Sequence, residues 1–390
     1  MSSRHASDGA RRGVAPWIVV TIVTALVVVA AVVGYLLIVR GGDEEAAACS
    51  SDVILPVVAS PGSAAAITAA AGAFDATKPV ARSACVTTAV TIFPGPDAQK
   101  ALAAGWTAQS SPAPAVWVPD SEADLLALEA TDSAITAGRD PTPLAASPVV
   151  LAVRDVNHAA MSAAGLSWKS LPDATGPSGI MVLPSGGHLV MALPGPTNNR
   201  ATSYALQSVV AATSGAPVTA AKVTAAAPEL AAVAAGGPVP QPALTQDALN
   251  ALVTGKGGFT AVPVLQSDLT TFTAATPGLT GVSPSGATAG DAVYAASLTA
   301  PWVTPTLDDA AALFVSFLHG QGGSAAFTAN GMKLSGTASS SAVSPAPLPA
   351  VSPSSSSAGS SEATTESSLT DAGPAVDTAL GQAIGAKPTG

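Results

Sequence analysis

The chain has 390 residues, enough for two domains or one two-lobed domain. Only 10% of them are charged, the formal net charge is −10, and no run of Lys and Arg lies beyond the N-terminus, so a basic nucleic-acid-binding face is excluded. Hydrophobic residues make up 48% but aromatics only 4%, so any core is built mainly from small Ala and Val side chains.

Residues 1–16 are polar and carry Arg4, Arg11 and Arg12. Trp17 to Val39 is an uncharged, mainly apolar run, long enough for a bilayer core of about 30 Å. Three arginines precede it and only Arg40 follows closely, which predicts a cytoplasmic N-terminus and an extracytoplasmic remainder. The competing reading is a cleaved signal peptide, whose apolar region would be shorter and end at a small-residue site. Ala46-Ala47-Ala48 offers such a site but lies behind Asp43, Glu44 and Glu45. The expectation is an uncleaved single-pass anchor over 17–39 and a linker over 40–49. The two cysteines, Cys49 and Cys85, stand just before or at the start of two predicted parallel strands. That placement fits a disulfide outside the cytosol, with two separate buried thiols the alternative. Closing that loop contributes roughly 3–4 kcal/mol in the chain-entropy account.

Val53 to Val58 is a short apolar run that predicts a strand covered on both faces. Ser60-Pro61-Gly62-Ser63 breaks it, and a helix follows with Ile67, Ala70, Ala71 and Phe74 on one side. Ser60 or Ser63 can cap that helix, whose start leaves free N–H groups and a positive dipole end. Cys85 to Phe93 reads as a second strand, Ala98 to Gly105 as a short helix, and Ala115 to Ser121 as a third strand with a polar end. Asp120 or Ser121 caps the helix after it. This rhythm predicts a parallel sheet with helical crossovers.

Ser147 to Val153 is the next strand, followed by a helix and turn holding Met161, Trp168 and Leu171. His188 to Leu193 reads as another strand, ending in the turn cluster Pro194 to Arg200. Asn199 or Thr202 caps the helix from Thr202 to Thr213. Further helices are predicted over 244–254, 266–274 and 307–319, a short strand over 259–264, and a broken return strand over 281–297. From Gly336 to Gly390, Ser, Ala and Pro dominate, which predicts a disordered tail with at most a transient helix over 376–384.

Catalytic and metal-binding patterns are missing from the sequence. His5, His158, His188 and His319 are scattered with no metal-ligand spacing, and there is no G-x-S-x-G elbow, phosphate-binding loop or H-E-x-x-H. Ser185-Gly186-Gly187-His188 reads as a turn before a strand. Trp106, Trp117, Trp168 and Trp302 read as core anchors, Trp302 being the most exposed of them. No enzyme activity, cofactor or metal is expected.

Four stretches, VVASPGSAAAITAAAGAF, PAVWVPDS, SPVVLAV, and TAVPVLQSDL with AALFVSFLHGQGGSAAFTANGM, resemble in order and spacing a bacterial extracellular solute-binding protein of the type 2 periplasmic-binding fold. The Ala-, Gly- and Pro-rich composition is similar to that of actinobacterial proteins outside the cytosol. Such domains also occur fused to von Willebrand factor A domains, but no Asp-x-Ser-x-Ser motif follows here. The resemblance implies an α/β fold of two lobes joined by two hinge strands. Lobe one would be 50–146 plus 285–335, and lobe two 147–284. It places a ligand cleft between Ser60, Ser63, Asp120, Ser121 and Ser147 on one side, and Thr197, Asn198, Asn199, Thr202 and Gln266 on the other. Asp120 is equally a helix cap, and Asn198 and Asn199 equally turn residues. Hydroxyls, amides and helix starts suit a small polar or anionic solute, delivered to a transporter or reported to a partner. The other reading is an envelope scaffold that keeps the fold with its cleft filled.

Overall fold

A computed structural model describes residues 49–109, 111–119, 121–136, 143–176, 178–195, 199–335, 368–369 and 371–385. The expected anchor, Trp17–Val39, lies outside them, and among the described residues no helix is long and apolar enough to cross a membrane. Cys49 and Cys85 are both disulfide-bonded, as their places at the strand starts predict.

The first sheet grows from the apolar run after Cys49. Strand β1 (Ser51–Ala59) leads through the Ser60–Ser63 turn into helix α1 (Ala64–Ala76). β2 (Val80–Ala81) and β3 (Ala84–Ile92) form a hairpin whose two turn residues, Arg82 and Ser83, both have positive φ, as a tight hairpin turn of matching twist requires. Helix α2 (Gly95–Ala103), strand β4 (Val116–Val118) and helix α3 (Glu122–Thr131) follow. β1 lies between β3 and β4 and is parallel to both, so the predicted parallel sheet is present in this lobe.

The longest strand, β5 (Pro143–Arg154), runs out of this lobe into the next. Helices α4 (Asp155–Ala163), α5 (Leu171–Ala174), α6 (Arg200–Ser214), α7 (Ala220–Ala225), α8 (Ala227–Ala234) and α9 (Thr245–Thr254) come next. Strand β6 (Ala261–Leu265), helix α10 (Gln266–Ala275) and strand β7 (Leu279–Val282) complete the second lobe's first pass. Strands β8 (Thr288–Tyr294) and β9 (Ala296–Ser297) return to lobe one, where helices α11 (Pro305–His319) and α12 (Gln321–Ala329) and strand β10 (Lys333–Leu334) close it. α11 packs back on α1, with Phe74 edge-on to Phe314 at 5.2 Å.

β5 shows how the lobes are joined. Its first half pairs antiparallel with β8, and its second half pairs antiparallel with both β6 and β7. Leu144 and Ala145 are packed in one core with Val293, while Val149, Leu151 and Val153 are packed in another with Ala289. The chain therefore crosses between cores on β5 near Ala146–Pro148 and returns on β8 near Gly290–Ala292.

Two expectations are corrected. His188–Leu193 is not a ladder strand; it makes only isolated bridges, among them Met191 with Ala261. Its backbone groups are shared among several partners: Val190 N donates to the Thr260 hydroxyl at 2.9 Å, Ala192 N to Ala261 O at 3.0 Å and Leu189 N to Met181 O at 3.2 Å. The tail does not stay wholly outside the fold. Strand β11 (Ser368–Leu369) pairs parallel with β8, and helix α13 (Pro374–Ala383) packs on lobe two with Val376 and Leu380 buried in its core. Composition hid this because Val376 and Leu380, one helical turn apart, supply a complete apolar contact face within a Ser- and Ala-rich stretch. The Trp readings hold: Trp106, Trp117 and Trp168 are buried, and half-buried Trp302 donates to Pro114 O at 2.9 Å. Ser185–His188 is a turn, with Gly186 N donating to Leu183 O at 2.9 Å.

Candidate functional site

A cleft of about 910 Å³ opens between the lobes. Helix α1 forms one wall with Ala65, Thr68 and Ala69, all exposed, and the preceding turn adds Pro61 and Gly62. Helix α10 forms the opposite wall with Ser267, Asp268, Thr271 and Ala275. The start of α9 adds Thr245 and Gln246, and Asn330 and Met332 from the α12–β10 turn close one end. At that end the lobes touch. Gly331 has φ +76°, and a Cβ there would lie 2.2 Å from Thr270 Oγ1 and 3.0 Å from Gln266 O.

Three helices open towards this space. α1, α9 and α10 all begin at its edge; none of their N-cap side chains caps its own helix, but at α10 the Ser147 hydroxyl accepts from Ser267 N at 3.0 Å. The first turns of α1 and α9 line the cleft with Ala64–Ala66 and Thr245–Gln246, and a helix start carries free N–H groups and a positive dipole end. Among the described residues no Lys, Arg or His lines it, and Asp268 is the one carboxylate. The site can accept hydrogen bonds from few groups but can donate through backbone N–H groups and threonine hydroxyls. That suits a small polar or anionic solute held without an ion pair.

None of the described residues expected to line the cleft is among its lining residues. Asp120, Thr197 and Asn198 lie outside the described residues. Ser63 is buried and its hydroxyl donates to Ser60 O at 3.1 Å, which fixes the turn before α1. Ser60 is buried, and its Oγ has no hydrogen-bond partner among the described residues. It points towards α2: the site of a Cβ on Gly95 is 3.4 Å from Ser60 Oγ and 2.3 Å from Asp124 Oδ2. Asp124 thus fills the space beside Ser60. Ser121 caps α3 by accepting from Ala123 N at 3.0 Å.

On the lobe-two side, Ser147 Oγ lies 2.8 Å from Ser267 Oγ and accepts from Ser267 N at 3.0 Å, so it ties the crossing strand β5 to the start of α10. Asn199 caps α6 by accepting from Thr202 N at 2.9 Å, and its amide donates to Thr245 Oγ1 at the cleft edge. Thr202 is buried with no side-chain partner among the described residues. Gln266 is half-buried, and its amide reaches Thr270 Oγ1 at 3.5 Å. Of these residues only Asn199 and Ser147 touch cleft-lining side chains. The sequence signal that finds the cleft is the set of helix starts at 64, 245 and 266, not the hydroxyl residues beside them.

A second polar cluster, which sequence reading missed, lies behind the crossing strands. Arg200 pairs with Asp291 at 2.6 Å and donates to Tyr204 OH at 2.8 Å. Ser203 donates to Asp377, and Gln207 Nε2 donates to Ser203 Oγ at 2.9 Å and to Asp371 Oδ1 at 3.3 Å. Burial, followed by the Asp291 charge, pushes the Tyr204 phenol far above its ordinary range. Burial, with the neighbouring Asp371 adding to it, also raises the Asp377 carboxyl. No group of His, Cys, Asp and Glu among the described residues is arranged to hold a metal.

The family model described as bacterial extracellular solute-binding protein matches residues 55–333. No curated protein matches the chain. Among solved structures, the chain is similar to the sulfate-binding protein SubI from Mycobacterium tuberculosis H37Rv, with 15% identity and TM-score 0.49 over 73% of this chain and 88% of that one. It is also similar to a periplasmic thiamin binding protein, with 13% identity and TM-score 0.47 over 85% and 96%. A third is iron-bound HitA from Pseudomonas aeruginosa, with 16% identity and TM-score 0.46 over 86% and 98%.

Proposed function

Because the chain belongs to the bacterial extracellular solute-binding protein family, we propose that its two lobes close on a small polar or anionic solute held in the cleft between α1 and α10. The observation that carries this reading is the meeting of three helix starts at one open space, those of α1 and α9 without a side-chain cap. Each helix start favours a nearby negative charge by about 0.3–1 kcal/mol at an exposed site, and closure would strengthen this by excluding water. The mechanism is hinge motion about the β5 and β8 crossings, followed by transfer of the solute to a transporter or a report to an envelope partner. Trp17–Val39 would hold the domain at the outer face of the membrane as a single-pass anchor.

The scaffold reading has one observation in its favour. Ser63, Ser121, Ser147 and Asn199 all spend their side chains on internal bonds rather than on the cleft. The open cleft weighs against it. Thermal melting of the full chain decides between them, with sulfate, molybdate, phosphate, glutamate, glucose and spermidine as probes. A solute at about a hundred times its dissociation constant stabilises by about 2.7 kcal/mol. A rise in melting temperature with one probe supports binding, and no rise with any of them supports the scaffold.

A further inference from the structure

Helix α6 touches three functional parts of the molecule within two turns. Its cap, Asn199, donates to Thr245 at the cleft edge. Its first residue, Arg200, pairs with Asp291 on the returning strand β8, and Asp291 faces Ser147 in the β5–β8 register. Its next turns hold the C-terminal segment through Ser203 to Asp377 and Gln207 to Asp371, while Ala372 N donates back to Gln207 Oε1 at 3.2 Å. Ser208, one residue further, accepts from Ala289 N of β8 at 2.9 Å.

The C-terminal segment touches β8 directly as well. β11 pairs with Thr288 and Ala289, immediately before the stretch Gly290–Ala292 that crosses between the lobes. α13 then buries Val376 and Leu380 in the same core that contains Ala289. The segment therefore grips the lobe-two end of one crossing strand from two sides, once through its own strand and once through α6.

We propose that the C-terminal segment 368–385 is a clasp on the hinge: docked, it fixes β8 where the strand leaves lobe two, and released, it loosens the crossing and the cleft edge held by Asn199. Such coupling is reciprocal, so movement of the crossing strands on closure changes how firmly the segment is held. The clasp is distinct from solute recognition and does not depend on which solute binds.

Amide hydrogen exchange on the full chain, wild type against Leu380→Asp, tests this. The clasp predicts loss of protection over 371–385. It also predicts about tenfold faster exchange at Asp291–Val293, Ala145–Ser147 and Ala248–Leu249, the first hydrogen-bonded amides of α9, none of which pairs with β11, and unchanged exchange in β1 and β3. Faster exchange confined to 288–289 and 368–385 would overturn the proposal. So would a uniform rise that includes β1 and β3, because the segment would then be ordinary core. The double variant Asp371→Ala/Asp377→Ala keeps the apolar face and cuts the ties to α6. Its predicted effect has the same pattern at smaller amplitude, and no change at 291–293 contradicts the coupling through α6.

Discussion

The cleft and the polar cluster behind the crossing strands use charge in opposite ways. The described residues that line the cleft are mostly apolar or uncharged, with Ala, Thr, Ser, Gln and Asn beside the single carboxylate of Asp268, and three helices start at its edge. The cluster gathers Arg200, Tyr204, Asp291, Asp371 and Asp377 around one helix, in a chain with only 10% charged residues. Charged side chains thus meet where β8 and the C-terminal segment join α6, whereas Asp268 is the one charged residue among the described residues lining the cleft. A site built from backbone N–H groups keeps its donors fixed and needs no counter-charge when empty. A joint built from a nearly buried carboxylate needs its partner, because removing one leaves the other uncompensated.

The largest effect that separates the two regions is expected from Arg200→Ala. Asp291 is 3% exposed, and losing its cation should cost about 3 kcal/mol of stability in urea unfolding. A loss near zero would show that the pair is not structural. Next is the solute-dependent term. Ala69→Phe projects a ring from the exposed face of α1 into the cleft, so stability without solute should stay within about 0.5 kcal/mol. The gain of about 2.7 kcal/mol from a saturating probe should vanish. Gly331→Ala should cost about 2 kcal/mol, since its φ of +76° and the 2.2 Å approach to Thr270 both resist a Cβ.

A smaller effect separates the regions by pH. Asp377 has a raised pKa when docked, so its contribution to docking is complete below the ordinary carboxylate range and is lost as pH rises through the docked value. Ser203, Gln207, Asp371 and Arg200 are the groups acting on it. Exchange over 371–385 should therefore quicken from mildly acidic to neutral buffer beyond its intrinsic rate, and Asp377→Asn should flatten that trend. The smallest effect belongs to Asp268→Asn. Removing the one carboxylate of the cleft should improve the apparent affinity for an anionic probe by about two- to fivefold, the size expected of an exposed charge.

Much of lobe one was legible in the sequence because its signals are local. The run from Val53 to Val58, the Pro-Gly break and the Ile67–Phe74 face each specify their own element, and the parallel order follows from the crossovers. Lobe two was less legible where a side chain accepts from a backbone N–H, as Thr260 does from Val190. The docking of α13 depends on a groove formed far upstream by α6, α7 and α8, and a window of Ser and Ala carries no trace of that groove. The site was legible as a place but not as a set of side chains. Hydroxyl residues beside helix starts resemble ligand groups and turn-forming groups equally, and in Ser63, Ser121 and Asn199 the local bond to backbone wins. Arg200 and its carboxylates were missed because Asp291, Asp371 and Asp377 are distant in sequence and meet only on α6.

Closure on a solute through backbone donors is tested most directly by amide exchange at the first turns of α1 and α10, with and without the probe that raises the melting temperature. The account predicts that Ala65–Ala66 on one wall and Asp268–Leu269 on the other gain protection together. Protection on one wall alone, or on neither, would contradict it.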